Sequence, residues 1–368
     1  MNSLSKWIVA EAERMGFDAC GIANATALDS ESRHVEQWLE DKCEGEMSYL
    51  TRNKEKRYDP RLLVGGTKSI VTVLYNYYPK QQIGDGEHFK IAKYAYGSDY
   101  HDVLKRKLRQ LLERIETQTG KLEGVRVFVD SAPVLDRAWA VRCGLGFIGK
   151  NTSLIHPPMS LTASRSQQNK DELALKPTSG HSRRPCGGSF FFIGHLFLPL
   201  ELAETGQMMT NRCGRCTKCL EACPTGALEA PFHIDARKCI SYLTIEYKNN
   251  LEGHDPKTFN GWIYGCDICQ DVCPYNRFAL PNSEPEFQPS ERLLAMEKGD
   301  WESLTKDNFE ALFKHSAVQR AGYEGLKRNI EFVSRGELRD AICDNEVLSE
   351  GELRDAVHDN DDFISRES

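Results

Sequence analysis

Apolar positions recur along this chain with two periods, and the places where the period changes mark out its organisation. Over 3–16 the apolar residues Leu4, Ile8, Val9, Ala12 and Met15 fall at helical spacing between charges, which predicts an amphipathic helix rather than a signal peptide. Helices are predicted in the same way over 31–42, 102–118 and 134–142. The apolar, β-branched runs at 69–77 and 125–129 predict buried strands, and the aromatic run SFFFIGHLF at 189–197 predicts another. Between them, 157–188 is rich in Ser, Arg, Gln, Lys, Thr, Pro and Gly with hardly any large apolar side chain. That composition predicts a flexible insertion. Beyond about 205 short helices are expected at 217–222 and 239–247 among loops, and helical spacing returns at 300–332 through Leu304, Phe309, Leu312, Phe313 and Leu326.

Cysteine spacing supplies the chemistry. The chain carries Cys213-x-x-Cys216-x-x-Cys219-x-x-x-Cys223-Pro224, then Cys266-x-x-Cys269-x-x-x-Cys273-Pro274, with Cys239 between. A thiolate at every third residue lets one short loop wrap an iron–sulfur cubane, while the cysteine before proline ligates the other cluster. The first cluster is then assigned to Cys213, Cys216, Cys219 and Cys273. The second takes Cys223, Cys266 and Cys269, with Cys239 as the candidate for its fourth thiolate. Structural zinc would need four ligands and no third cysteine at the same step. A disulfide framework fits the regular spacing poorly. Cys20, Cys43, Cys143, Cys186 and Cys343 lie outside the set and read as plain thiols.

These patterns predict an α+β protein: an α/β domain over 1–204 with the insertion 157–188, a ferredoxin-like two-cluster domain at 205–290, a helical segment at 291–333 and a tail at 334–368. Residues 331–368 hold four Arg against twelve Asp or Glu, so the net charge of −7 is concentrated there and the rest is nearly neutral. A local basic face is therefore compatible with the acidic total. The tail also repeats itself, with Gly336-Glu-Leu-Arg-Asp-Ala recurring from Gly351, too few copies for a solenoid. No run approaches the roughly 20 apolar residues of a membrane span. A reducing cytoplasm, no membrane partner and a monomer are expected.

Other motifs are less specific. Gly144-x-Gly146-x-x-Gly149-Lys150-Asn151 satisfies a dinucleotide pattern and nearly a P-loop, but a helix precedes it where a strand is required, and Asn151 stands where the P-loop needs Ser or Thr. Its glycines are expected to let the backbone approach another bulky ligand. Asp130 closes the strand at 125–129 and reads equally as a catalytic carboxylate or, with Ser131, as a helix N-cap. The segment 94–101, dense in Tyr, Asp and His, reads as a packed turn or as part of a site. His315, Arg320, Lys327 and Arg328 read as phosphate contacts or as a solvated face.

Taken together, KRYDPR (56–61), YAYGSDYH (94–101), VDSAPVLDRAWAVRCGLGFIGKN (129–151), CGRCTKCLEACPTGAL (213–228) and GCDICQDVCPYN (265–276) resemble the epoxyqueuosine reductases over most of residues 1–333. The resemblance implies a cobalamin-dependent iron–sulfur oxidoreductase that completes queuosine at the wobble position of tRNA, drawing electrons from an external donor. It implies that 1–204 binds cobalamin, that Asp130 is the proton donor and corrinoid neighbour, and that His101 and Arg137 lie near the substrate. It also implies Arg57, Lys150, Asn151 and Ser241 around the corrinoid. Cobalamin rests on the resemblance alone, since D-x-H-x-x-G is absent: Asp99-x-His101 lacks the glycine. The chain departs from the family in its insertion and its acidic tail. A corrinoid reductive dehalogenase, a non-catalytic iron–sulfur electron carrier and an RNA-binding module without chemistry are the alternatives. No twin-arginine signal supports the first, and the second leaves residues 1–155 without a task.

Overall fold

The computed structural model describes residues 3–83, 89–158 and 186–336. Most of the predicted insertion, and the tail beyond 336 with its repeat, lie outside these. The molecule is a mixed α and β structure built on one four-stranded antiparallel sheet, in which Ala19–Asn24, Ser69–Asn76, Phe191–Leu198 and Arg126–Phe128 lie side by side in that order. The Phe191–Leu198 strand, which returns from beyond the insertion, pairs on both edges, so His195 lies opposite Thr72 on one side and Phe128 on the other.

Strand periodicity divides the central residues between two cores. Ile70 and Leu74 pack with Trp139 and Phe197 on one face, while Val71, Val73 and Tyr75 pack with Leu104, Leu108 and Leu196 on the other. Both faces are covered, so the run reads as continuously apolar rather than alternating. Helix Tyr100–Thr119 supplies Val103, Leu104, Leu108, Leu111 and Ile115 to one cover, and helix Asp136–Arg142 supplies Ala138, Trp139 and Ala140 to the other. A polar seam crosses the face that helix Asp136–Arg142 covers. Thr72 Oγ1 lies 3.0 Å from His195 Nδ1, and His195 Nε2 lies 3.1 Å from Asp136. The fully buried imidazole thereby has partners on both nitrogens.

A further core gathers Phe89, Ile91, Ile240, Leu243, Phe259, Tyr264, Trp301, Phe309, Phe313 and Val333. The helical spacing at 300–332 resolves into short pieces, Lys298–Glu302 and Lys306–Leu312 followed by a helix over 322–336. Asn329 donates to the Thr244 and Ile263 carbonyls at 2.8 Å each, and Arg328 donates to those of Leu243, Tyr247 and Asn249. Arg328 therefore bolts this helix to the cysteine segment. Arg320 pairs with Glu246, and Lys327 donates to the Glu302 carbonyl, so these cations also have intramolecular partners.

The glycine-rich segment corrects an expectation. Gly144 adopts φ +73, where a Cβ would stand 2.7 Å from Gly206 Cα, and at Gly146 it would stand 2.3 Å from the Ile155 carbonyl oxygen. These glycines let backbone pack on backbone, and leave no space there for a bulky ligand. Among the described residues no helix is long and apolar enough to cross a membrane.

Candidate functional site

The two cysteine runs fold into matching loops. Lys218–Glu221 and Ile268–Asp271 are single helical turns, preceded by Thr217 (φ −127°, ψ 5°) and Asp267 (φ −108°, ψ 5°) and followed by right-handed Ala222 and Val272. A proline after Cys223 and after Cys273 prevents either turn from lengthening.

Pairing of the loops produces two sets of thiols. Cys213, Cys216, Cys219 and Cys273 line one cavity of about 250 Å³, with Lys150, Arg212, Tyr275 and Arg277 among its other walls. Cys223, Cys239, Cys266 and Cys269 face one another in the second: the Cys266 and Cys269 thiols are pushed up first by burial, with added repulsion from Cys239 and Cys223. Among the described residues no three His, Cys, Asp or Glu converge closely enough to hold a single ion. The first set instead surrounds a cavity, an arrangement that suits a multi-iron cubane better than one tetrahedral zinc.

The loops are held by different neighbours. Lys150 Nζ donates to the Gly214 and Cys216 carbonyls at 2.8 and 2.9 Å, and Asn151 Nδ2 reaches the Cys269 carbonyl at 3.2 Å. Backbone N–H groups of Ser241 and Tyr242 bond the Cys239 sulfur. Beneath the second loop Lys93, 4% exposed, lies 3.5 Å from Asp267, itself 2% exposed, and 2.7 Å from Asp271. The Lys93 N–H also donates to Asp267 at 2.8 Å. Spacing alone gave no sign of this buried ion group, because Lys93 and Asp267 meet only through the fold.

Asp130 lies past the Arg126–Phe128 strand at φ +52°, a backbone region that costs a non-glycine residue on the order of 1 kcal/mol or more. The following helix starts at Asp136 with no side-chain cap, so neither Asp130 nor Ser131 is its N-cap. Instead the Tyr100 hydroxyl donates to Asp130 Oδ2. His101 Nε2 lies 3.9 Å from the same oxygen, while its Nδ1 lies 2.7 Å from Asp99, which also caps the helix through the His101 N–H. Tyr100 is set by stacking on Phe192, with ring centroids 4.3 Å apart. Sequence reasoning singled out His101 and passed over Tyr100; its place beside His101 in the first turn of a capped helix was the available signal.

Asp130 sits in a broad concavity. A water-sized probe reaches 62% of its side chain. Yet enough protein surrounds it that desolvation, followed by the neighbouring charge of Asp136, holds its carboxyl above the usual carboxylate range, against the opposing pull of Tyr100, His101 and Arg137. Arg137 is likewise surface-accessible; desolvation shifts it the other way, below the usual guanidinium range, and it donates to the Thr152 carbonyl at 2.6 Å. Arg57, which is buried, donates through Nη2 to the Tyr49 carbonyl at 3.3 Å and leaves its Nε without a hydrogen-bond partner among the described residues. An orphaned guanidinium nitrogen beside an open concavity suits a large polar ligand. Of the residues expected around a corrinoid, Asp130 and Arg57 are near the Asp136 carboxylate, whereas Lys150 and Asn151 bond to carbonyls of the thiol loops and Ser241 lies beside Cys239.

Comparison with known proteins follows this geometry. A family model described as a 4Fe-4S double cluster binding domain matches residues 212–276, and one described as "Epoxyqueuosine reductase QueG, DUF1730" matches residues 57–131. The chain is 46% identical to an epoxyqueuosine reductase of Cellulophaga algicola over 89% of its own length and 97% of the relative's. It is 36% identical to that of Pseudomonas aeruginosa over 86% and 81%. A solved epoxyqueuosine reductase from Streptococcus thermophilus superposes with a TM-score of 0.75 at 28% identity, over 95% of this chain and 86% of that one. Another, solved with a tRNA-Tyr epoxyqueuosine-modified stem loop, gives 0.74 at 26% identity, over 90% and 81%.

Proposed function

The chain belongs to the epoxyqueuosine reductase family, and on that premise we propose that it reduces the epoxide of epoxyqueuosine in a tRNA anticodon loop to the alkene of queuosine, with Asp130 as proton donor. The overall change takes two electrons and two protons and releases the epoxide oxygen as water. Two 4Fe-4S clusters serve the reaction; we assign one to Cys213, Cys216, Cys219 and Cys273 and the other to Cys223, Cys239, Cys266 and Cys269. The residues fit a corrinoid: Arg57, whose Nε has no partner among the described residues, and Asn151 and Ser241 beside the second thiol set, would hold it. When bound, that group supplies a cobalt centre that single electrons reduce to a strong nucleophile.

The acid side of the reaction is built from this chain's own groups. The observation that carries it is Asp130 in its strained conformation, bonded by Tyr100 and desolvated in a concavity. Tyr100 occupies Oδ2, which leaves Oδ1 to carry the transferable proton outward. An epoxide oxygen becomes strongly basic as its carbon bond breaks, so a positioned acid contributes about 10²–10⁴ in rate. Once the proton has left, Tyr100, His101 and Arg137 stabilise the carboxylate, and Asp99 holds the His101 ring in place. Asp130→Asn, prepared with both clusters and cobalamin retained, should lose about 10²–10⁴ in formation of queuosine from epoxyqueuosine tRNA, read by nucleoside mass spectrometry. Undiminished turnover would remove Asp130 from this role.

A further inference from the structure

The chemistry needs electrons from outside the chain, and the two thiol sets differ in their access to it. Cys239 and Cys266 pack against the large core, whereas the cavity of the first set is walled by exposed Arg212, Pro274 and Arg277. The stretch of chain that leads into and through that first loop carries charge of one sign. No carboxylate occurs between Glu204 and Glu221, and Arg212, Arg215 and Lys218 are all exposed on this stretch.

Several exposed cations near the thiol loops and elsewhere have an acidic partner: Arg237 pairs with Asp235, Lys238 with Glu229, Arg142 with Glu31 and Arg320 with Glu246. By contrast, neither Arg215 nor Lys218 has a side-chain hydrogen bond or ion pair among the described residues, and Arg277 rests only on the Phe278 ring, 4.6 Å from its centroid. Two exposed large apolar side chains belong to segments that adjoin this loop. Met208, 58% exposed, is on the acid-free stretch. Phe232, 37% exposed, donates its N–H to the carbonyl of Lys150, whose amine holds the first loop. Unpaired cations around an apolar contact, at the mouth of a redox centre, form a steering and docking surface for a partner of opposite charge.

We propose that the rim formed by Arg215, Lys218, Arg277, Met208 and Phe232 docks an acidic one-electron carrier protein, which delivers electrons to the first cluster. The proposal rests on the assignment of that cluster to Cys213, Cys216, Cys219 and Cys273. In each encounter the carrier is oxidised by one electron and the cluster reduced by one, with no proton moved. Two encounters supply one turnover.

The test uses the full chain with both clusters reconstituted and a reduced plant-type [2Fe-2S] ferredoxin as probe, following cluster bleaching by stopped flow. The second-order rate should fall steeply with rising salt in the unmodified protein, and Arg215→Glu with Lys218→Glu should lower it about tenfold or more at low salt. Reduction by dithionite should be unchanged. Iron and sulfide content reads the cluster assignment separately from docking, and the salt series on the unmodified protein stands even if the charge-reversed variant fails to hold its clusters. A salt-independent rate, or a cluster-replete variant reduced by ferredoxin as fast as the original, would overturn the proposal. So would a variant that loses affinity for tRNA while its ferredoxin rate is unchanged, since the rim would then belong to the RNA.

Discussion

The two thiol loops share nearly the same local conformation and differ in almost everything around them. The first lies at a cationic, solvent-facing rim, its carbonyls held by Lys150. The second is packed against a core of Tyr264, Ile240 and their neighbours, with a lysine and an aspartate buried beneath it. One motif used twice thus yields an outer and an inner site. The spacing of the cysteines decides that a cluster is bound, and the surroundings decide what that cluster meets.

Removing a thiol should break the comparison most severely. Cys239→Ala should abolish the inner cluster and leave the outer one, so that iron content falls to about half with one cluster signal lost. Loss of both clusters together would show that the sets are not independent. Next in size is Lys93→Met, which strands the buried Asp267 charge. Removing one partner of a buried pair costs about 3–5 kcal/mol, and the denaturation midpoint followed by far-UV circular dichroism should drop accordingly. An unchanged midpoint would show that the backbone N–H at position 93, the Gln270 amide and solvent already satisfy Asp267.

A smaller effect is expected from Lys150→Met, which deletes two charge-assisted hydrogen bonds to the outer loop, together worth about 2–5 kcal/mol of local stability before compensation by water. A chelator should then strip the outer cluster faster while the inner one leaves at its original rate. Equal acceleration of both would contradict the separation.

The subtlest test concerns Asp130, the proposed acid. Burial and the Asp136 charge raise the Asp130 carboxyl, and a proton donor is competent below its own pKa and fails as pH rises through it. Asp136→Asn keeps an oxygen for His195 but removes the charge, so Asp130 should ionise at lower pH. The alkaline limb of the single-turnover rate should move acidward. A limb that stays in place would mean that desolvation alone sets it.

Much of this was legible before any fold was known. Helical spacing located Tyr100–Thr119 and Asp136–Arg142 to within two residues at either end, because each buries one continuous stripe. The apolar run at 69–77 was readable because both faces of that strand are covered. The glycines of 144–149 were misread for a physical reason: a glycine that admits a ligand and one that admits another backbone look alike in sequence. Arg328 looked like a phosphate contact for a similar reason, since an arginine that binds main-chain carbonyls carries the same charge as one that faces solvent.

The sequence by itself determined the chemistry that depends on local spacing: cysteines three residues apart, a proline after the fourth, and a carboxylate at a strand end before a helix. Such features depend on a few neighbouring dihedral angles. Only the tertiary structure decided that Asp130 is not a helix N-cap and that Tyr100 engages it instead, that Lys93 meets Asp267, and that one thiol set faces cations without partners among the described residues while the other is enclosed. Those outcomes join residues tens to hundreds of positions apart, and burial and charge pairing between such residues are set by packing, which no local pattern encodes.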